Sequence, residues 1–128
     1  KIEVGAAMTE IENPPADYAV QGRDLMSGIP KEVFVSYVEI AHCLDKSISK
    51  IEEAILNALE MTPPELAADI YRTGIYMAGG GSLLRGLDKR ISLKTKLPVH
   101  VCEDPLRAVA RGTGIALKNV HKFPFLIK

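Results

Sequence analysis

Three consecutive glycines form the pattern with the clearest chemical meaning in this sequence. Gly79, Gly80 and Gly81 follow the apolar run Ile75–Ala78 and precede Ser82. Because glycine has no Cβ, a phosphate or a ribose can approach the backbone closely here. A helix that follows would add free N–H groups and the positive end of its dipole. The pattern is consistent with nucleotide contact and equally with a tight packing turn.

The common phosphate-binding signatures do not fit this turn. A dinucleotide fingerprint that begins at Gly79 requires glycine where Leu84 stands. A P-loop that begins at Gly81 requires Lys and then Ser or Thr, where Leu87 and Asp88 stand. Spacing alone therefore leaves both interpretations of the turn open.

Two His and Cys pairs are weaker candidates. His42 and Cys43 are adjacent on a predicted helix, so they face different directions, and no further metal ligands stand at suitable spacing. His100 and Cys102 share one face of a predicted strand, but a Cys-His nucleophile pair also needs an orienting group and an oxyanion site. Structural roles are favoured for all four residues.

Charge is balanced along the chain. Sixteen Lys and Arg residues match sixteen Asp and Glu residues. A domain that wraps nucleic acid usually has a basic excess, because neutralised phosphates supply much of its affinity. We therefore expect no nucleic-acid partner. One local basic run, at a predicted helix end, is interpreted as a solvated face: Lys89, Arg90, Lys94 and Lys96.

A β-hairpin and a long helix are predicted in the first half. After a loop at 8–17, strands at 18–24 and 31–36 flank a turn at 26–28. Apolar residues then recur three or four apart from Tyr37 to Glu60, which indicates one long or two consecutive amphipathic helices. The predicted core positions are Ile40, Leu44, Ile48, Ile51, Ile55 and Leu59.

A short helix is predicted to begin at Thr62. Its side chain can cap the helix, Pro63 suits the first helical position, and Glu65 completes a capping box. The helix is expected to run to about Arg72 and to stop at Gly74.

Strands and helices alternate in the last part of the chain. The pattern predicts strands at 75–78 and 98–102, a helix at 82–95, and a last helix that opens at Asp104-Pro105 and ends at Lys118. This β-α-β-α order implies a parallel strand pair with a right-handed crossover. The predicted core face of the last helix contains Leu106, Val109, Ala110, Thr113 and Leu117.

Size and composition indicate one ordinary globular domain. A chain of 128 residues can bury about two-thirds of its unfolded surface. No run approaches the roughly 18 apolar residues of a membrane span, and two cysteines are too few for a disulfide scaffold, which favours a reducing cytosol. Since the sequence begins at Lys1, without Met and inside an apolar-polar pattern, we expect it to be a piece of a larger protein.

Three stretches carry a family resemblance. They are GRDLMSGIPK at 22–31, MTPPELAADIYRTGIYMAGGGSLLRGLD at 61–88 and LPVHVCEDPLRAVARGTGIAL at 97–117. Their order and spacing resemble those of the MreB family of bacterial actins, the rod shape-determining proteins. The resemblance extends from Lys1 to about Leu117. Within the actin, Hsp70 and sugar-kinase superfamily, the Thr-Pro-Pro-Glu-Leu helix start together with the triple glycine is specific to MreB.

This resemblance implies an α/β fold, here an α+β fragment of the actin-like, ribonuclease H-like ATPase fold. Residues 1–45 would be part of the outer subdomain IIB of the second lobe. Residues 46–128 would be part of the inner subdomain IIA with a C-terminal tail. The chain would thus contain a β-hairpin and helices followed by a β-α-β-α unit, and residues 1–4 would be the end of a helix.

A nucleotide site is also implied by the resemblance. The adenosine motif of the family falls on Gly79, Gly80, Gly81, Ser82 and Leu83. Lys1 matches a lysine that the family places near the adenine and ribose. The cofactor would be ATP with magnesium, and the magnesium ligands and the groups that position the attacking water would lie outside this chain.

The implied function is cytoskeletal. The intact protein would bind ATP, assemble into filaments at the inner face of the cytoplasmic membrane, and maintain rod shape by organising cell-wall synthesis. Its partners would be further copies of itself, cell-shape and cell-wall synthesis proteins, and the membrane surface through the missing first lobe. The intact protein would be a slow ATPase linked to polymerisation, whereas the chain alone would not be an enzyme.

Two departures and two rival interpretations accompany the resemblance. Ala78 stands where relatives often have Thr, and the tail after Lys118 is divergent, so nothing is carried over to Phe123 or Phe125. The chain could instead belong to a kinase or an Hsp70-like ATPase of the same fold, or it could be a free-standing binding module. The match at 61–88 favours the cytoskeletal interpretation.

Overall fold

The computed structural model describes residues 3–122, so Lys1 and the tail residues Phe123 and Phe125 lie outside the described part. The elements follow in the order β1 (Tyr18–Arg23), β2 (Pro30–Val35), α1 (Tyr37–Glu60), α2 (Pro64–Thr73), β3 (Ile75–Met77), α3 (Leu87–Thr95), β4 (Val99–Val101) and α4 (Ala108–Lys118). Short 3-10 turns occupy Gly80–Leu83 and Val120–Lys122. Within residues 3–122, none of the helices combines the length and the apolar character that crossing a bilayer requires.

The predicted hairpin is present, with each strand within one residue of its expected bounds. Strands β1 and β2 pair antiparallel, with Tyr18 opposite Val35. The carboxylate of Asp24 accepts hydrogen bonds from the backbone N–H groups of Met26, at 2.8 Å, and Ser27, at 3.1 Å. Gly28 supplies the positive φ of 71° that closes the turn.

Helix α1 is one continuous helix, which decides between the two alternatives left by its periodicity. No Gly or Pro interrupts residues 37–60. Ser36 begins the helix with a capping box: its Oγ accepts from the N–H of Glu39 at 3.2 Å, and the Glu39 carboxylate accepts from the N–H of Ser36 at 2.9 Å. Of the predicted core positions, Ile48 is buried, whereas Ile51 is about half exposed.

The predicted start of α2 is wrong by one proline. Pro64, not Pro63, is the first helical residue, and no side chain caps the helix. A residue that precedes proline is disfavoured in the helical region, so Pro63 is held extended by Pro64. Thr62 instead donates its hydroxyl to the carbonyl of Ala58 at 2.8 Å, at the end of α1. The helix stops at Gly74, as predicted.

Strands β3 and β4 form the predicted parallel pair, with Ile75 opposite Val99. One face of this pair packs on the core, which has Ala7, Ile48, Leu87 and Ile91 at its centre. Ala7 lies in the segment at residues 6–9. This segment is held beside residue 85 because Ala6 forms a parallel bridge with Arg85. This segment, which precedes β1, is therefore an integral part of the core.

Two helix boundaries in the last part differ from the prediction. The helix expected at 82–95 is a 3-10 turn followed by α3, because Gly86 lies between them in the left-handed region at φ 76°. Helix α4 begins at Ala108 instead of Asp104-Pro105. Its predicted core face is not buried: Leu106, Val109, Ala110, Thr113 and Leu117 are all exposed, since no described element covers that face.

Candidate functional site

The segment at residues 79–83, which we call the glycine turn, lies at the carboxyl end of β3. The amide of Gly79 donates a 2.7 Å hydrogen bond to the carbonyl of Pro105, in the loop that follows β4. The amide of Cys102 reaches back to the carbonyl of Met77 at 3.0 Å. Because the carboxyl ends of parallel strands meet at one edge of a sheet, the turn and this loop form a continuous edge. Ligands of open α/β sheets bind at such edges.

Ser82 holds the turn in shape. Its side chain is buried, and its Oγ donates to the carbonyl of Gly79 at 2.7 Å. The backbone N–H of Ser82 donates to the same carbonyl at 3.2 Å. The hydroxyl is therefore used inside the turn, so the surface that a ligand can reach is mainly backbone.

The three glycines differ in the space around them. A Cβ on Gly80 would meet Cδ2 of Leu106 at 3.3 Å, whereas a Cβ on Gly81 would meet no atom within 4 Å. Gly79 has a φ of 82°, which strains any other residue. Close packing against Leu106 thus accounts for glycine at position 80, and the positive φ accounts for glycine at position 79. Neither reason accounts for glycine at position 81, where an added Cβ would face open space among the described residues.

The expected helix N-terminus does not lie at the turn. Gly80 and Gly81 are themselves part of the four-residue 3-10 turn Gly80–Leu83, and α3 begins only at Leu87. The dipole contribution predicted from the sequence is therefore wrong. The structure brings Gly79, Gly80, Gly81, Ser82 and Leu83 together in one turn, with Leu83 more than half exposed.

Arg90 is a partly buried charged residue that the sequence analysis wrongly placed on a solvated face. Its Nε lies 2.6 Å from Oε1 of Glu52, and its side chain is only 18% exposed. The hydrogen bond with Glu52 raises the pKa of Arg90 above its ordinary value, so the guanidinium is always charged. The sequence offers one sign of this ion pair. Glu52 follows Ile48 by four residues and so lies on the core face of α1, where a carboxylate needs a positively charged partner.

Metal ligands are not grouped in the described part. Among residues 3–122, no three His, Cys, Asp or Glu side chains are placed to hold a metal ion. His100 packs instead on Tyr76, with ring centroids 5.1 Å apart. His100 therefore takes part in aromatic packing on the β3–β4 pair.

Solved structures with the same arrangement define the class of protein. The chain superposes on MreB5 of Spiroplasma citri bound to ADP with a TM-score of 0.85 and 37% identity, over 99% of this chain and 38% of that one. It superposes on MreB5 of the same organism bound to AMPPNP with a TM-score of 0.82 and 39% identity, over 93% of this chain and 35% of that one. The fold is therefore part of the actin-like fold.

Sequence comparison then identifies the family. The profile described as MreB/Mbl protein matches residues 1–124. The chain is 40% identical over 124 residues to the cell shape-determining protein Mbl of Bacillus subtilis (strain 168). It is 42% identical over 120 residues to the cell shape-determining protein MreB of Escherichia coli (strain K12). The chain belongs to the MreB/Mbl family of actin-like cytoskeletal proteins.

The match covers nearly all of this chain but a minor part of the relatives. It includes 97% of this chain and 37% of the Bacillus subtilis protein, and 94% of this chain and 34% of the Escherichia coli protein. The chain thus spans between a third and two-fifths of the curated relatives it matches.

Proposed function

We propose that the glycine turn contributes to an ATP site in an intact protein of the relatives' length. The observation that carries this proposal is the open space at Gly81, which neither packing nor backbone strain explains. Family membership supports it, and so do the ADP and AMPPNP in the two related MreB5 structures. The kinase and Hsp70-like alternatives receive no such support.

The residues of the turn fit a nucleotide through their backbone. Gly80 and Gly81 leave the main chain accessible, Ser82 fixes its course, and Leu83 offers exposed apolar surface for a base or ribose. When bound, ATP with magnesium supplies the phosphoryl chemistry. By the family resemblance, the magnesium ligands would lie in other parts of the intact protein.

At the level of the cell, we propose a filament-forming cytoskeletal role. The relatives are named cell shape-determining proteins. The intact protein would polymerise with ATP beneath the cytoplasmic membrane and maintain rod shape by organising cell-wall synthesis. In this arrangement residues 1–45 belong to an outer subdomain and residues 46–128 to an inner one.

Gly81→Val in the intact protein tests the ATP site. The free chain has room for the added side chain, so the variant should fold, but the branched group would stand where the nucleotide approaches. We expect ATP binding to weaken by at least about tenfold, roughly 1.4 kcal/mol. A fluorescent ATP analogue measures the affinity, and light scattering measures ATP-dependent assembly.

Gly22→Val is the matched control. Gly22 lies in β1, and a Cβ there also meets no atom within 4 Å. This variant should bind ATP as the wild type does. A folded Gly81→Val protein with unchanged ATP affinity would overturn the proposal that the turn contacts ATP.

A further inference from the structure

The guanidinium of Arg90 joins three parts of the chain. It contacts Glu52 and Asp45 of α1, with Nη2 2.8 Å from Oδ1 of Asp45. Its Nη1 donates to the carbonyl of Ala7 at 2.9 Å. We call this group, Arg90 with Glu52, Asp45 and the Ala7 carbonyl, the Arg90 junction. One side chain of α3 therefore holds both α1 and the segment that leads into the hairpin, residues 6–17.

The segment that leads into the hairpin has further contacts with α3 and its start. Nζ of Lys89 pairs with Oε1 of Glu12 at 2.5 Å. Gly86 lies so close to Met8 and Ile11 that an added Cβ would approach them to 2.9 and 3.0 Å. The incoming chain is thus attached to α3 at several successive points, and the Arg90 junction is the most buried of the ion pairs involved.

The hairpin itself has little attachment of its own. Every residue of β1, and every residue of β2 except Val35, is exposed. Its outgoing chain enters α1 directly through Ser36, and the hydroxyl of Tyr37 donates to the carbonyl of Thr9 at 3.3 Å. The direction of the hairpin therefore depends on the two connections at its base, and the Arg90 junction holds the chain on both sides of them, at Ala7 before β1 and at Asp45 after β2.

The Arg90 junction is also close in sequence to the glycine turn. Helix α3 begins four residues after that turn, and Arg85, between the two, accepts a 2.8 Å hydrogen bond from the amide of Ala7 at its carbonyl. We propose that Arg90 is a positioning residue that fixes the orientation of the hairpin relative to α3 and so to the glycine turn.

The test measures the hairpin directly in the 128-residue chain. Cysteines replace Leu25, at the hairpin tip, and Leu93, on α3, both of which have exposed side chains. Each cysteine carries a spin label, and pulsed electron paramagnetic resonance measures the distance between the two labels. The native thiols are removed as Cys43→Ser and Cys102→Ala. The wild-type background should give one narrow distance distribution.

The decisive variant is Arg90→Met combined with Glu52→Leu. Replacing both members of a buried ion pair by apolar residues is often neutral for stability, so the fold is kept while the donor to Ala7 is lost. We expect the distance distribution to broaden by at least about twofold at temperatures below the melting transition of the variant, where it is still folded. A merely structural role would lower the melting temperature without this separate effect on the hairpin.

Two further variants complete the test. Arg107→Met removes an exposed Arg whose one ion pair among residues 3–122 is a 4.0 Å contact with Asp104, and it should leave the distribution unchanged. Arg90→Lys keeps the charge but loses the planar fork, so it should broaden the distribution by an intermediate amount, and it decides the question if the double variant does not fold. A folded double variant, or failing that Arg90→Lys, with the wild-type distribution would overturn the proposal.

This test uses no nucleotide and so stands apart from the proposed ATP site. If Gly81→Val leaves ATP binding unchanged, the proposed function fails while the hairpin measurement still decides the role of Arg90. If the hairpin is unaffected by loss of the Arg90 junction, the ATP proposal is untouched.

Discussion

Gly74 lies directly against the carbonyl of Pro98, so a methyl group at position 74 would overlap that oxygen. The same carbonyl accepts a 2.8 Å hydrogen bond from the amide of Ile75, which starts β3 beside β4. With φ 80° and ψ −171°, Gly74 also occupies a region that is almost restricted to glycine. The parallel pair therefore depends on the absence of a side chain at this position.

Gly74→Ala should destabilise the chain by about 2 kcal/mol or more, because backbone strain adds to the overlap with Pro98. Urea denaturation followed by circular dichroism gives the free energy of unfolding. Gly112→Ala in α4 is the control, since its Cβ meets no atom within 4 Å. That change should stabilise by about 0.5–1 kcal/mol. Equal stability of Gly74→Ala and the wild type would contradict this account.

Ser36→Ala should cost about 1 kcal/mol of stability, because it removes the side-chain cap of α1.

The hydrogen bond from the backbone of Ser36 lowers the pKa of Glu39 below its ordinary value of 4.5. A depressed folded-state pKa stabilises the fold above the unfolded-state pKa, and this stabilisation is lost as the pH falls through the folded-state value. The advantage of wild type over Glu39→Gln should therefore be present at neutral pH and shrink in acid below pH 4.5. An advantage of wild type over Glu39→Gln that stays the same from neutral to acid pH would contradict this account.

The isolated chain should release no phosphate from ATP above background. Transition-state charge in phosphoryl transfer must be met by metal ions and positioned donors. By the family resemblance, the magnesium ligands and the groups that position the attacking water would lie outside this chain. A coupled phosphate assay with magnesium and ATP measures the rate. Magnesium-dependent turnover by the pure chain would show that the catalytic groups are present in it.

Self-association of the isolated chain is expected through the free edge of β3. Within the described residues, β3 pairs with β4 alone, and an unpaired edge is a template for another strand. Light scattering should show dimers that increase with protein concentration. Tyr76→Lys places a charge on the exposed face of β3 and should reduce dimerisation, whereas Tyr71→Lys, equally exposed on α2, should not. A strictly monomeric chain at high concentration would show that the edge is protected. Such dimers would be distinct from any filament contact.

Local side-chain chemistry made several elements predictable from the sequence. The turn before Gly28, the stop at Gly74 and the parallel strand pair all depend on residues close together in the chain or on regular alternation. The error at Pro63 had the same local origin, because two adjacent prolines compete for the first helical position and only the second can occupy it.

Other features depend on neighbours that are distant in sequence. The glycine turn could be located, but the difference between Gly80 and Gly81 depends on Leu106, which periodicity does not place. The burial of Arg90 required knowledge that α1 and α3 pack together. The apolar face of α4 was predicted to be part of the core, but it is exposed. Apolar periodicity predicts a buried helix face without identifying the element that would pack on it.

The contact between Arg90 and Ala7 also constrains the order in which the chain can fold. The two residues are 83 positions apart in sequence, whereas the hairpin and the helices close over much shorter spans. Closing so long a loop has a large entropic cost, so it is expected after the local elements have formed. During synthesis, residues 6–9 emerge before α3 and cannot make their contacts with Arg85 and Arg90 until that part of the chain has been made. This segment therefore reaches its native place only after elements that follow it in the sequence.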